Sequence, residues 1–406
     1  MYYCRLSLLS ADMVLIEEGL WTYEKEGSFM KIILVTDEYG SLNNGTTMTA
    51  HRFYQMLRER GHDVHMLASG ELTEPDYRAR AGQYPIATKV AAKQGFGFAV
   101  PDEVLFRRAF RGADVVHFLL PLPFEKKAMK ICREMGVPMS AAFHLQPENI
   151  TYICHMPRET LANGIYTYFR HSFYKYFDHI HCPSEFIANQ LIKHGYKAKM
   201  HVISNGVDDD FTPAQKPQKR KDGKIHILMV GRLSPEKRQK VLIEAVRRSK
   251  YAGKIQLHLA GKGPCMEALV KQGEKLPNPP EFGFYSKEEL IGLIRSCDLY
   301  VHASYIEIEA ISCMEAFACG LVPVICNSPK SATTQFALCE ESLFAPDDPD
   351  DLARKIEYWI ENPERKAVMS VKYAQQGEKY RVSRSVEEAE RMFLETIRDY
   401  KRRHHG

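Results

Sequence analysis

The chain has 406 residues, 45% of them apolar and 26% charged, which excludes a disordered or fibrous protein and exceeds what one ordinary hydrophobic core holds. A net charge of +4 is too mild for a dedicated nucleic-acid binder, and no apolar run is long enough to span a membrane as a helix. The ten cysteines show no CxxC spacing and several lie inside apolar runs, so they read as reduced buried thiols, not as a disulfide or zinc framework.

In chain order, residues 1–29 come first. Asp12 interrupts their apolar stretch, acids follow, and no small-residue cleavage site closes it, so a signal peptide is not expected. A second methionine, Met30, directly precedes the strand-like run "KIILVTD", and residues 1–29 read as an upstream extension. From Met30 the pattern is strand, loop, helix, repeated. "TTMTAHRFYQMLRERG" has helical spacing and a terminal glycine. "DVHML", "DVVHFL", "PMSAAFH" and "HIHCPS" follow as short strands, with helical segments such as "PFEKKAMKICREMG" and "SEFIANQLIKHG" between them. Short continuous apolar strands separated by helices predict a parallel sheet covered on both faces.

The pattern breaks at "NGVDDDFTPAQKPQKRKDGK", rich in Pro, Asp, Lys and Gly, and restarts at "IHILMVG". This divides the chain into a first unit at 30–206, a linker at 207–224, a second unit at 225–380, and a C-terminal helix at 381–406 returning to the first unit. The fold class is α/β: two Rossmann-like, doubly wound domains facing a cleft, with a helical tail. Ligands of open parallel sheets bind beyond the carboxyl ends of the strands, so the cleft should carry the chemistry.

"VGRLSPEKRQ" places Gly231 and Arg232 after a strand, then Ser234-Pro235 as an N-cap and first-turn signature, then Lys237 in the first helical turn. Two cations beside a helix N-terminus suit a diphosphate; equally, Lys237 reads as a solvated helix charge. "LAGKGP" is a second strand-to-turn element, and its GxG is weak evidence alone. "FGFYSKEEL", containing Phe284, has a Ser286 cap with Glu289 at capping-box spacing; its loop faces a nucleobase or merely starts a helix.

In "YIEIEAISCMEAFACG", Glu307 and Glu315 stand eight apart with Glu309 between them. Glu307 falls in a loop after a strand, and Glu315 falls about two turns into a helix whose start, near Glu309–Ile311, faces the cleft. A carboxylate before such a helix and another on its inner face can each hold a pair of vicinal hydroxyls, as sugars present them. Glu309 fits an acid on the solvent side of a helix start.

The E-x7-E from Glu307 to Glu315, "GRLSPEK" and "ACGLVPVI", in that order, resemble family 4 of the retaining glycosyltransferases, of GT-B fold. The resemblance covers the chain from Met30 onward and extends to "VTDEYGSLNNGTTMTAHRFYQ" and "VISNGVD" in the first half. It implies that the first unit is the acceptor side and the second binds a nucleotide-sugar. It implies that Gly45 lets backbone approach the donor diphosphate, and that Arg232 and Lys237 neutralise it. It further implies that Glu307 contacts the transferred sugar, that Glu315 holds the ribose, and that His144 lies near the sugar. Gly231, Phe284, Ala310 and Ile311 complete the donor side. No cofactor and no metal are implied. The chain departs from the family where it has Glu309 and Ala310 in place of an aromatic and a glycine.

"EIEAISCMEAFACGLVPVI" and "AAFHLQPENIT" are most similar to bacterial glucosyltransferases that glycosylate diacylglycerol. That implies UDP-glucose as donor, a membrane lipid as acceptor, an α-glycoside as product, and a cytoplasmic protein peripheral on the inner face of the cell membrane. "VLFRRAFRG" (104–112) and "IYTYFRHSFYKYF" (165–177) mix aromatics with basic residues, as suits an anionic bilayer surface; in the opposite reading Tyr166, Phe169, Phe173 and Phe177 are core. Other readings are a transferase building surface polysaccharide on a lipid-linked sugar, and a nucleotide-sugar-binding protein without turnover. A nicotinamide-dependent oxidoreductase is disfavoured, because no GxGxxG follows a strand.

Overall fold

The run Lys31–Glu38 is buried almost end to end, as a strand covered on both faces must be. In the computed structural model, which describes residues 29–39, 45–70, 75–84, 96–154, 156, 158–215 and 220–405, it is β1, an inner strand of a seven-stranded sheet. The expected extension therefore lies outside the described residues but for Phe29, as do Cys4 and the Asn43–Asn44 pair before Gly45. The other strands of this sheet are β2 (Asp63–Ser69), β3 (Tyr77–Arg78), β6 (Val115–Phe118), β7 (Met139–Ala142), β8 (His179–Cys182) and β9 (Lys199–Val202), with a small antiparallel pair β4 (Ala81–Gly82) and β5 (Phe98–Ala99) beside it. The order is β3-β2-β1-β6-β7-β8-β9, all parallel.

Alternation along β1 splits the packing into two layers. Ile33 and Val35 join a core with Phe106, Phe110, Phe124, Tyr166 and Phe173. Ile32 and Leu34 face the other way, against helix Gly45–Glu59 and the last helix, Val382–His405. Val386, Ala389, Met392 and Phe393 of that last helix are buried there, and Glu390 clamps Arg60 with two hydrogen bonds of 2.6 and 2.8 Å.

The second sheet repeats the logic: β10 (Ile225–Val230), β11 (Ile255–Ala260), β12 (Glu281–Gly283), β13 (Leu299–His302), β14 (Pro323–Cys326) and β15 (Leu343–Phe344), in the order β12-β11-β10-β13-β14-β15, all parallel. Each sheet reverses its winding once, between β1 and β6 and between β10 and β13. These are the crevices where doubly wound sheets bind ligands.

The chain passes between the two units twice, at Gly206–Val207 and at Tyr380–Val382, and the two passages pair. Val207 N–H donates to Tyr380 O (2.8 Å) and Val382 N–H donates to Val207 O (2.9 Å). Gly206 has φ +79°, and a Cβ there would come 2.6 Å from Val382 Cα, so this contact requires glycine.

Of the two readings of 165–177 the core one holds: Tyr166, Phe169, Phe173 and Phe177 are all buried, so they do not face a bilayer. Two expectations change. Ser234 caps no helix: Pro235–Lys237 is a short 3-10 turn and the helix starts at Gln239, after Arg238 in the left-handed region (φ 58°). Lys237 is thus held by a turn rather than a helix. The Ser286–Glu289 capping box is formed. Among the described residues the nine cysteines are unpaired, and no helix is long and apolar enough to cross a membrane.

Candidate active site

The carboxyl ends of β10 and β13 bring the strongest cluster together. The Lys237 ammonium donates to Glu307 Oε1, and His302 Nε2 lies 3.1 Å from the same oxygen. Burial alone would push the Glu307 carboxyl up. The Lys237 charge, then the His302 contact, more than offset that and hold it well below the usual carboxylate range. Behind His302 stands Tyr300, whose hydroxyl is 3.2 Å from His302 Nδ1 and donates to Ser312 (3.1 Å). Ser312 in turn donates to Val230 O (3.2 Å). The two sides of the crevice are therefore wired together beneath the Glu307 carboxylate.

Arg232 leaves β10 through Gly231, and its guanidinium lies 3.5 Å from Glu236. Tight backbone packing sets this turn. A Cβ on Gly261 would come 2.0 Å from Gly231 O, and one on Gly263 would come 2.3 Å from Leu233 O. The glycines of "LAGKGP" are thus needed for the loops to pack, whatever else they do. Phe284 stands 60% exposed at the end of β12, with Lys262 Nζ 4.5 Å from its ring centroid.

Helix Ile311–Ala318 starts at Ala310, which occupies the left-handed region (φ 72°, ψ 73°) and provides no side-chain cap. The N-cap residue therefore leaves the first N–H groups uncovered by its own side chain, and a helix start of this kind can receive an anion. Glu315, on the same helix, is 8% exposed and lies 3.3 Å from Arg52 Nη2 of the first unit. Arg52 also reaches Asp208 (3.0 Å) and Gly206 O (2.9 Å). Burial pushes the Glu315 carboxyl up and Arg52 opposes it.

Glu309 departs from its expected place at the solvent side. It is 2% exposed, and its carboxylate accepts the Asn205 N–H at 2.8 Å, just before the first passage between the units. The reason is the left-handed Ala310, which turns the chain so that the preceding side chain points back toward the first unit. Burial pushes the Glu309 carboxyl up to about 7, against hydrogen bonds from Ser204 and Asn205. Neighbouring Ile308 packs on the core of the first unit, and its carbonyl accepts from Ser184 Oγ (2.7 Å).

On the first unit, His144 follows β7. It is 7% exposed and sits edge-on to His181, and among the described residues its buried Nε2 has no partner. Burial, then His181, holds its imidazole neutral, well below the ordinary value. Two residues on, Gln146 donates to Lys330 O of the second unit (3.2 Å). Gly45 opens helix Gly45–Glu59, and among the described residues a Cβ there would meet nothing within 4 Å. Asp37 and Glu125 are buried together behind the end of β1. Burial pushes both carboxyls up, Asp37 to about 6, as in a pair that shares a proton.

The structure thus brings Lys237 and Glu307 into contact at the ends of β10 and β13, sets Arg232 beside Glu236 in the turn before Lys237, and ties helix Ile311–Ala318 to β10 through Ser312, while Phe284 follows β12 and touches Lys262. Sequence reasoning missed Arg52, Tyr300 and His302. The last two alternate within "LYVHAS" and share one face of β13, a polar pair in an apolar strand that could have been noticed. No local pattern pointed to Arg52, whose partner is far along the chain.

Comparison with known proteins agrees with this organisation. The family model described as "Glycosyltransferase Family 4" matches residues 43–211, and "Glycosyl transferases group 1" matches residues 210–377. The alpha-monoglucosyldiacylglycerol synthase of Streptococcus pneumoniae is 23% identical over 325 residues, 73% of this chain and 71% of that protein. A GDP-mannose-dependent alpha-mannosyltransferase of Corynebacterium glutamicum is 25% identical over 312 residues, 73% of this chain and 72% of that protein. The crystal structure of Anabaena HepE in complex with UDP-glucose superposes with a TM-score of 0.68, covering 91% of this chain and 100% of that one at 16% identity, a likeness of fold.

Proposed function

The chain belongs to the family 4 glycosyltransferases of GT-B fold, and from that premise we propose that it is a retaining hexosyltransferase moving glucose from UDP-glucose to a membrane lipid such as diacylglycerol, giving an α-glycoside. The observation that carries the catalytic part is the Lys237–Glu307 pair at the β10/β13 crevice. A cation beside the leaving phosphates neutralises charge that grows as the glycosidic bond breaks, the interaction that accelerates a reaction most.

In this reading Arg232 and Lys237 hold the diphosphate with the uncapped start of helix Ile311–Ala318, at Ala310 and Ile311. Glu307 turns from Lys237 to the sugar hydroxyls, and Glu315 takes the ribose hydroxyls. The base stacks on Phe284. Neutral His144 offers its unpartnered Nε2 to the sugar from the acceptor side. Leaving phosphate and acceptor then occupy one face of the sugar, so configuration is retained. Gly231 and Gly45 allow the backbone to come close. The two cations supply the charge neutralisation, so the reading needs no metal and no cofactor.

The lipid acceptor rests on the resemblance to the diacylglycerol enzymes and on the named Streptococcus relative. It implies work at the inner face of the cell membrane. Since Tyr166, Phe169, Phe173 and Phe177 are core, contact with an anionic bilayer would fall to exposed Leu161 and Tyr168 with neighbouring Lys126. The Corynebacterium relative favours a second donor, GDP-mannose.

The test uses the full chain, mixed micelles of diacylglycerol and anionic lipid, and radiolabelled UDP-glucose or GDP-mannose. Label passing into the lipid phase from UDP-glucose, and abolished by Glu315→Ala, supports the reading. Transfer from GDP-mannose alone overturns the donor. Nucleotide release with no lipid product overturns the acceptor and favours a lipid-linked sugar.

A further inference from the structure

Away from the cleft, at the N-terminal edge of the first sheet, two histidines from adjacent strands face an acid on the last helix. His179 opens β8 and His201 lies in β9, in diagonal register, with Nδ1 of the first 2.9 Å from Nε2 of the second. Glu395, on helix Val382–His405, completes the group. One donor atom from each residue lies within 4.8 Å of the other two, and among the described residues no other three His, Cys, Asp or Glu side chains come together in this way.

The chemistry of the set suits a divalent transition cation better than it suits the free protein. Two imidazole nitrogens 2.9 Å apart can satisfy each other with a single proton only. Burial disfavours the charged form of both rings, which suits the neutral imidazole a metal takes. Glu395 is held below the usual carboxylate range, chiefly by its hydrogen bond from Lys199, and is therefore anionic. The far side of His179 is also prepared. Its buried Nε2 lies 3.3 Å from Asp399 Oδ2 without an aligned hydrogen bond. A carboxylate behind a ligating imidazole is the usual outer support of a metal-bound histidine. The Lys199 ammonium, on a long and exposed side chain, now occupies the Glu395 oxygen. It is the group an incoming cation would displace.

We propose that His179 Nδ1, His201 Nε2 and the Glu395 carboxylate form a binding site for a first-row divalent transition cation, which fastens the last helix to strands β8 and β9. Binding an ion would replace the hydrogen bond between the two rings and draw the three ligand atoms, now within 4.8 Å of one another, onto one centre. The site lies outside the catalytic crevice and does not depend on the donor or acceptor assignments.

The test titrates Co2+ into the full chain carrying H404A and H405A, so that the terminal histidine pair cannot contribute. Binding is read by equilibrium dialysis, by visible absorption and by melting temperature. The expected result is one Co2+ per chain, with visible d–d bands that appear on binding and a raised melting temperature. His201→Ala and Glu395→Gln should each weaken binding by about tenfold or more. Lys199→Ala should tighten binding, because it removes the competing ammonium; that variant keeps the proposal open to refutation if the histidine variant fails to fold. Substoichiometric Co2+, binding indifferent to His201→Ala and Glu395→Gln, or Lys199→Ala with unchanged affinity would overturn it.

Discussion

Arg52 of the first unit and Glu315 of the second lie 3.3 Å apart, both nearly out of solvent, with the Arg52 guanidinium also bound to the passage between the units through Asp208 and Gly206 O. A buried pair adds little net stability, but removing one partner strands the other. Arg52→Ala is expected to cost about 3 kcal/mol, read as a fall in the urea midpoint. Arg52→Lys should recover part of it, since charge returns but the fork does not. An unchanged midpoint in Arg52→Ala would show that Glu315 does not need this cation.

Lys237→Ala should lower turnover by roughly 10²–10³, the range found when a group stabilising transition-state charge is lost. It should also move the acid limb of the rate profile. Lys237 is a main reason Glu307 stays ionised at low pH, and without it burial pushes that carboxyl up. The limb should therefore shift to higher pH in the variant. Equal acid limbs in the two proteins would remove Glu307 from the reaction.

Glu309 gives the opposite sign from an ordinary surface acid. Its folded value, about 7, lies above its unfolded value, so the folded state binds the extra proton between the two. Stability from this group falls as pH rises from about 4.5 to about 7. Glu309→Gln keeps an oxygen for the Asn205 N–H and removes the charge. It should be more stable than the parent above pH 7, by up to about 3 kcal/mol, with the gain vanishing near pH 4. Denaturation at pH 5 and pH 8 decides this, and a constant difference would reject it.

Ala310 holds a conformation that glycine adopts freely and other residues rarely do. Ala310→Gly should stabilise by up to about 1 kcal/mol, since relief of strain outweighs the added freedom of the unfolded chain. Ala310→Val should destabilise by more than about 2 kcal/mol, because branching worsens the clash. Melting temperatures of the pair test this, and the same order for both variants would argue that the helix start relaxes.

The double alternation was legible because parallel strands announce themselves as short continuous apolar runs, and β1, β10 and β13 are of that kind. The strands β3, β4, β5 and β15, of two residues each, left no such mark. Within the site, Lys237, Glu307 and Glu315 were visible through their spacing. What spacing could not convey was environment. Glu309 reads as a helix-start decoration until the left-handed Ala310 turns it inward. The aromatics of 165–177 carry one helical period whether a membrane or a core lies opposite. Arg52, His179, His201 and Glu395 acquire meaning only through partners on other elements.

The last helix has a consequence for how the molecule is made. Val386, Ala389, Met392 and Phe393 close one face of the first sheet, so that face includes residues that follow the whole second unit in the chain. A ribosome delivers β1 early and this cover only after the second unit. Throughout synthesis of the second unit, Ile32, Leu34 and Val115 lack part of their lid, and the lobe begun first is completed after its neighbour. Removing the final helix should therefore harm the half of the protein farthest from it in sequence, leaving a sticky, chaperone-dependent first lobe beside a second lobe able to complete its core without it.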